Sequence, residues 1–149
     1  VRITQKTEYA VRALLDIAIN SDSLIQLPIK AQDISRRQKI PAKYLETILV
    51  ELQRNGLLRS RRGPDGGHFL TKPLEQITVG AVWRAMEGRL TSAPRAAEKA
   101  EFKDVPTAAA FEEVWRKIDE AVAKAADGIS LQELRKKLDS LKSPQDFNI

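Results

Sequence analysis

Apolar residues recur at helical spacing near the start of the chain. Val11, Leu14, Leu15 and Ala18 fall at i, i+3, i+4 and i+7 between Thr4, a capping residue, and Asn20-Ser21-Asp22-Ser23, a stop. A buried first helix is expected there. Leu24 to Leu27 is short, apolar and closed by Pro28, which suits either a brief strand or an extended link. A second, shorter helix is predicted from about Lys30 to Gln38. The third is marked at both ends, with Pro41 suited to its first turn and Asn55-Gly56 to a left-handed exit. Its core stripe is Leu45, Ile48, Leu49 and Leu52, and its other face carries Lys43, Tyr44, Glu46, Thr47, Glu51 and Arg54.

Leu57 to Arg62 and His68 to Thr71 are extended-type segments joined by Gly63-Pro64-Asp65-Gly66-Gly67, a pattern that predicts a hairpin with a glycine-rich tip, ended by Pro73. Thr78 can cap a fourth helix, in which Val79, Val82, Trp83 and Met86 repeat the core spacing as far as Gly88. Thr91 to Pro106 has no clear period and reads as a linker or loop. Beyond it, Phe111, Val114, Trp115, Ile118, Val122 and Ala125 form a long apolar stripe on a helix that stops at Asp127-Gly128. Ser130 and Glu133 make a capping box for a last helix with Leu131, Leu134, Leu138 and Leu141 on one side, and Gln145 to Ile149 is expected to fray.

A chain of 149 residues with 42% hydrophobic content can bury one ordinary core, or a compact head with a helical extension. The net charge of +5 is unevenly placed: residues 1–90 hold 15 Lys/Arg against 9 Asp/Glu, whereas residues 91–149 hold 10 against 11. The positive charge therefore belongs to the front of the chain. There is no cysteine, which removes disulfides, a thiolate nucleophile and any Cys-ligated zinc or iron–sulfur site. No apolar run approaches bilayer length and the first residues lack a signal peptide's apolar stretch, so a soluble cytoplasmic protein with no membrane partner is expected.

Helix, short helix, tight turn, helix with a polar outer face and basic hairpin is the order a winged helix-turn-helix requires. An exposed helix fits the major groove, and a hairpin wing can reach the backbone or the minor groove. Arg36, Arg37, Lys39 and Lys43 cluster around the turn; Arg54, Arg59, Arg61 and Arg62 lead into the wing. Both clusters can neutralise phosphates. Solvation explains an isolated charge run, but not two basic clusters at the two places where this fold meets DNA. An enzyme is disfavoured, because no Ser/His/Asp or Cys/His set, Walker-type phosphate loop or metal-spaced ligand group is present. The remaining alternative is an architectural module that binds protein or DNA without sequence preference.

The stretches T-E-Y-A-V-R-A-L-L-D-I-A, I-P-A-K-Y-L-E, L-Q-R-N-G-L-L-R-S-R-R-G-P-D-G-G-H and I-T-V-G-A-V-W-R-A-M-E-G resemble the family of regulators typified by IscR, NsrR and CymR. The resemblance is close from Arg2 to Gly88 and a matter of pattern from Phe111 to Leu141. It implies a mainly α fold: a winged helix-turn-helix head with a two-stranded wing over 1–90, a linker loop over 91–106, a long dimerisation helix and a short final helix within 107–142, and a tail over 143–149. It further implies a homodimeric repressor gripping a palindromic operator, with Phe111, Val114, Trp115, Ile118, Val122, Leu131, Leu134 and Leu138 at the dimer contact.

Carried over by position, Pro41, Lys43, Tyr44 and Glu46 stand where the family's recognition helix begins and meets bases, and Arg62 is the wing arginine of the minor groove. Glu46 can accept from cytosine N4, and Lys43 can donate to guanine or to phosphate. Tyr44 fits either a phosphate contact or packing of its ring on the wing or first helix. Gly66 and Gly67 serve either close backbone approach to DNA or the turn itself. Three departures stand out. Lys39 occupies a turn position that is often glycine, at about 1 kcal/mol if it is left-handed. His68 replaces a common tyrosine and reads as a polar hairpin residue rather than a ligand or pH sensor. The three cysteines that hold the cluster in IscR and NsrR have no counterpart between Thr91 and Pro106. No cofactor is expected, and any signal would come from a small-molecule or protein effector.

Overall fold

Thr4 starts the first helix by accepting a hydrogen bond from the Thr7 amide (3.4 Å), and α1 runs Gln5–Asn20. The computed structural model describes residues 3–21, 27–90 and 96–146. After α1 come α2 (Ala31–Gln38), α3 (Ala42–Arg54), the strands β1 (Leu58–Arg61) and β2 (Gly67–Leu70), α4 (Val79–Glu87), α5 (Pro106–Asp127) and α6 (Leu131–Asp146). A 3-10 turn at Leu74–Gln76 separates β2 from α4. The architecture is mainly α, a winged helix-turn-helix head followed by two further helices.

The core lies where α1, α2, α3 and α4 meet. The α3 stripe Leu45, Ile48, Leu49 and Leu52 is buried there, with Leu14 and Ile17 from α1, Ile34, Ile40, Leu58, Ile77, Val82 and Met86. The expected stripe on α1 is displaced by one residue. Val11 and Ala18 are only half buried, whereas Ala10, Ala13, Leu14 and Ile17 are fully so. The cause is that α1 contacts α2, α3, α4, β2 and α6, which cover a wider arc than a single amphipathic stripe.

β1 and β2 pair antiparallel, with Arg59 opposite Phe69, Ser60 opposite His68 and Arg61 opposite Gly67. A third, one-residue partner joins them, because Ile29 exchanges backbone hydrogen bonds with His68 (3.0 and 2.8 Å). The extended link expected at Leu24–Leu27 therefore pairs two residues later, and residues 24–26 lie outside the described residues.

Thr78 caps α4 through the Ala81 amide (3.1 Å). Of the expected linker, residues 91–95 lie outside the described residues, and the remainder contains two 3-10 turns, Ala96–Glu98 and Ala100–Phe102, rather than plain loop. Pro106 then opens α5 at a position where its missing N–H costs nothing. α6 returns to the head: the Val79 amide donates to Ile129 and the Leu131 amide to Ile77, both at 2.8 Å. It continues to Asp146, beyond the tail boundary expected at 143, and residues 147–149 are not described. None of the described helices is long and apolar enough to cross a membrane.

Candidate nucleic-acid interface

The turn between α2 and α3 is held from both sides. Lys39 adopts φ 54° and ψ 47°, the left-handed conformation anticipated for a position that favours glycine. Ser35 fixes the turn, accepting from the Ile40 amide through its carbonyl (3.1 Å) and donating its hydroxyl to the Ile40 carbonyl (2.6 Å). Ile40 plugs the core beneath.

From the α1 side, Asp16 is only 1% exposed. It accepts from Arg37 Nε (3.0 Å), Arg37 Nη2 (2.8 Å) and Gln38 Nε2 (2.9 Å), while Arg12 donates to the Gln38 carbonyl. Arg37, expected among the phosphate contacts, is therefore engaged in a fork on a buried carboxylate. That hydrogen bond raises its pKa above the ordinary guanidinium value. Arg36 remains available: its side chain is 74% exposed and its only ion pair among the described residues is the i,i+3 contact to Asp33 (3.2 Å). Lys39 is also exposed.

On α3 the exposed residues are Ala42, Lys43, Tyr44, Glu46, Thr47, Val50, Gln53 and Arg54. Lys43, Glu46, Thr47, Val50 and Arg54 follow one helical face opposite the buried leucines. Among the described residues neither Lys43 nor Glu46 makes an ion pair. Glu51, which the sequence pattern put on this face, instead bonds Lys6 Nζ at 2.8 Å and ties α3 to α1. Val50, 46% exposed, takes its place on the outer face and was not foreseen. Pro41 caps α3 just outside its first turn, and the Tyr44 ring meets the Tyr9 ring edge-on at 5.7 Å. In the free protein the Tyr44 ring thus packs on the first helix while the residue stays partly exposed.

The wing is joined to α3 through Ser60, whose hydroxyl donates to Gln53 Oε1 (2.9 Å). Arg59 and Arg61 project from the opposite face of the strand, with their guanidinium carbons 5.1 and 5.2 Å from the Phe69 ring centroid. Phe69 is thus an aromatic platform that carried no signal beyond an apolar residue in a strand. Arg62, next to the tip, is exposed. Glycine is required at the tip for steric reasons: a Cβ on Gly66 would collide with the Arg61 carbonyl, and one on Gly67 would lie 2.7 Å from the Ile29 carbonyl oxygen. Both glycines are needed to build the wing. His68 sits 3.1 Å from the Ser60 hydroxyl through Nδ1, and burial pushes its pKa below the usual imidazole value.

The sequence model of the Rrf2 family, described as an iron-dependent transcriptional regulator, matches residues 3–137. This chain belongs to the Rrf2 family of transcriptional regulators. Among its relatives, the HTH-type transcriptional regulator IscR of Serratia proteamaculans (strain 568) is 37% identical over 134 residues, covering 90% of this chain and 79% of that protein. IscR of Cronobacter sakazakii (strain ATCC BAA-894) is 47% identical over 87 residues, which are 58% of this chain and 52% of the relative. A putative regulator of Haemophilus influenzae matches over 55% of its length, so the chain spans about half of these two relatives. In three dimensions it resembles IscR of T. potens, with TM-score 0.67, 26% identity and coverage of 93% and 88%. It also resembles the cysteine regulator CymR of B. subtilis in fold, with TM-score 0.70, 24% identity and coverage of 92% and 98%.

The iron dependence in the Rrf2 family description does not fit the residues present. The chain has no cysteine to ligate a cluster. Among the described residues, no three His, Asp or Glu side chains are grouped where they could hold a metal ion.

The residues expected at an Rrf2 dimer contact divide into two sets. Phe111, Val114 and Ile118 on α5 are 56%, 45% and 39% exposed, and Trp115, half buried, lies 5.9 Å from the Phe111 ring. Val122 instead packs on Trp83, Leu90 and Ala126 of its own chain, and it is Ala126 rather than Ala125 that is buried. Leu131 is fully buried in the head core, with Leu134 and Leu138 packed against it. The short Gly128–Ser130 connection turns α6 back onto the head, so Leu131 is occupied within the protomer, whereas Leu134 and Leu138 are only partly buried there.

Proposed function

We propose that this chain is a sequence-specific, cytoplasmic repressor that binds a palindromic operator in double-stranded DNA as a homodimer, without an iron–sulfur cluster. The observation that carries the reading is the outer face of α3, where Lys43, Glu46, Thr47, Val50 and Arg54 are exposed above a fully buried leucine stripe. That face enters the major groove. Glu46 accepts from cytosine N4, Lys43 donates to guanine or phosphate, and Val50 meets a thymine methyl. Pro41 directs the helix start toward the bases and Tyr44 buttresses it through Tyr9. Arg36, Lys39 and Arg54 neutralise phosphates, and Arg62 enters the flanking minor groove. Arg59 and Arg61, stacked on Phe69, contribute positive field more than direct contacts.

The surface of exposed Phe111, Val114 and Ile118 with half-buried Trp115 on α5 supports a second copy as partner. A 22-residue helix is about 33 Å long, room enough for an antiparallel pair that spaces two wings across successive turns of a duplex. Occupying the promoter in that way blocks polymerase. Selection of bound fragments from a random duplex pool tests the reading. Recovery of one palindrome, held about a thousandfold above bulk DNA at physiological salt, supports it. Recovery of unrelated sequences identifies an architectural binder instead.

A further inference from the structure

A cleft of about 750 Å³ lies between the end of α1, the base of the wing, the segment following β2 and α6. Its lining mixes polar and apolar groups, and among the latter Phe69 and Leu74 are each at least nine-tenths buried. Three cations line it from three parts of the fold: Arg59 on β1, Lys72 after β2 and Arg135 on α6. Glu75 is the one carboxylate among its lining residues. Among the described residues none of the three cations makes an ion pair, and they outnumber the one lining carboxylate.

We propose that this cleft is a binding site for a small carboxylate with an apolar body, of the medium-chain or aryl type. The size is within the roughly 300–1,000 Å³ range of small-molecule sites. The chemistry is two-sided. An arginine fork is matched to a carboxylate, and the Phe69–Leu74 part of the lining gains only from a ligand with an apolar part. A free phosphate satisfies the first requirement and not the second; a neutral hydrocarbon satisfies the second and leaves the cations unpaired. Because Arg59 belongs to the wing and Arg135 to α6, a carboxylate between them ties the wing's base to the C-terminal helix. That is a coupling route for a regulator with no cysteine for cluster sensing.

The test uses the full chain without DNA, so its outcome is independent of the operator reading. Calorimetric titration is run with octanoate and indole-3-acetate, their neutral counterparts octan-1-ol and indole-3-acetamide, and inorganic phosphate. At least one carboxylate should saturate at one per protomer with Kd below about 1 mM, and its neutral counterpart should bind at least about tenfold more weakly. Phosphate should not saturate. Arg135→Ala and Lys72→Ala should each weaken the carboxylate about tenfold while leaving circular dichroism unchanged. The proposal is overturned by failure of both carboxylates to saturate, by equal binding of the neutral counterparts, by matching saturation with phosphate, or by undiminished binding to both variants. If one variant fails to fold, the other decides.

Discussion

Replacing Arg37 by alanine separates a structural arginine from a phosphate-binding one. In the folded chain Asp16 is 1% exposed and the Arg37 side chain 33%, with three nitrogen–oxygen contacts of 2.8, 3.0 and 3.3 Å between them. Without the guanidinium the carboxylate keeps only Gln38 Nε2, at 2.9 Å, as a side-chain donor, and a buried charge is left without a counter-ion. Breaking such a pair costs about 3–5 kcal/mol when both groups are buried; partial exposure of Arg37 puts the loss at the lower end, about 3 kcal/mol. In a chain of this size that lowers Tm by roughly 6–12 °C. The urea midpoint should fall with the m-value unchanged. Asp16→Leu in the same chain should recover much of the loss, because no charge then remains buried. Below the new melting point, the salt dependence of DNA binding should match that of the parent. Arg36→Ala is the contrast, with unchanged stability and a slope flatter by about one per lost contact and subunit. If Arg37→Ala keeps full stability and flattens the salt slope instead, the Asp16 fork is not the residue's role.

On α5, Ile118→Glu combined with Phe111→Ser should convert a dimer to a monomer in sedimentation equilibrium and weaken operator binding, with the head's circular dichroism retained. Dimers persisting in the double variant would move the contact elsewhere. Gly66→Ala should disrupt the wing, since its Cβ has no room beside the Arg61 carbonyl, and should lower operator affinity by about 1–3 kcal/mol while the helical core survives. Unchanged affinity would remove the wing from the interface. The Arg84 guanidinium, hydrogen-bonded at 2.7 and 2.8 Å, holds the Asp127 carboxyl below its usual range, so the pair stabilises the fold above the ordinary carboxylate pKa and ceases to as pH falls through the depressed one. Both groups are well exposed, so Arg84→Ala should cost only about 0.5–1 kcal/mol at neutral pH. The two unfolding curves should converge as pH falls below the depressed Asp127 pKa; a gap that persists there would assign the loss to packing.

Most of the head is legible in the chain because its punctuation is local. Thr4, Thr78 and Pro41 mark starts and Asn55-Gly56 a stop, and each acts within a few residues. What was illegible depends on distant partners. Asp16 sits between Leu15 and Ile17, a charge inside an apolar run, and that interruption is a signal that a counter-ion is needed; nothing local says that Arg37 supplies it rather than DNA. Leu131, Leu134 and Leu138 carry the same stripe whether the helix packs on its own head or on a second copy. The short connection at Gly128–Ser130 and its pairing with Ile77 and Val79 bring them onto the head. In the wing, the two extended segments and their glycine tip were legible, but not that Arg59 and Arg61 would share the face bearing Phe69. On α3, Glu51 and Val50 are adjacent, and the Lys6 contact that draws Glu51 inward comes from α1.

The central claim is that α3 reads bases while the wing arginine holds the flanking groove. It is tested most directly by measuring operator affinity for Glu46→Ala and Arg62→Ala on the selected palindrome and on single-base variants of it. Glu46→Ala should leave non-specific affinity unchanged or slightly higher and lower discrimination at one base pair per half-site by about 1–3 kcal/mol. Arg62→Ala should weaken binding by about 1–3 kcal/mol, most of all on A·T-rich flanks. If both variants bind every sequence as the parent does, α3 and the wing are not the DNA surface and the account fails.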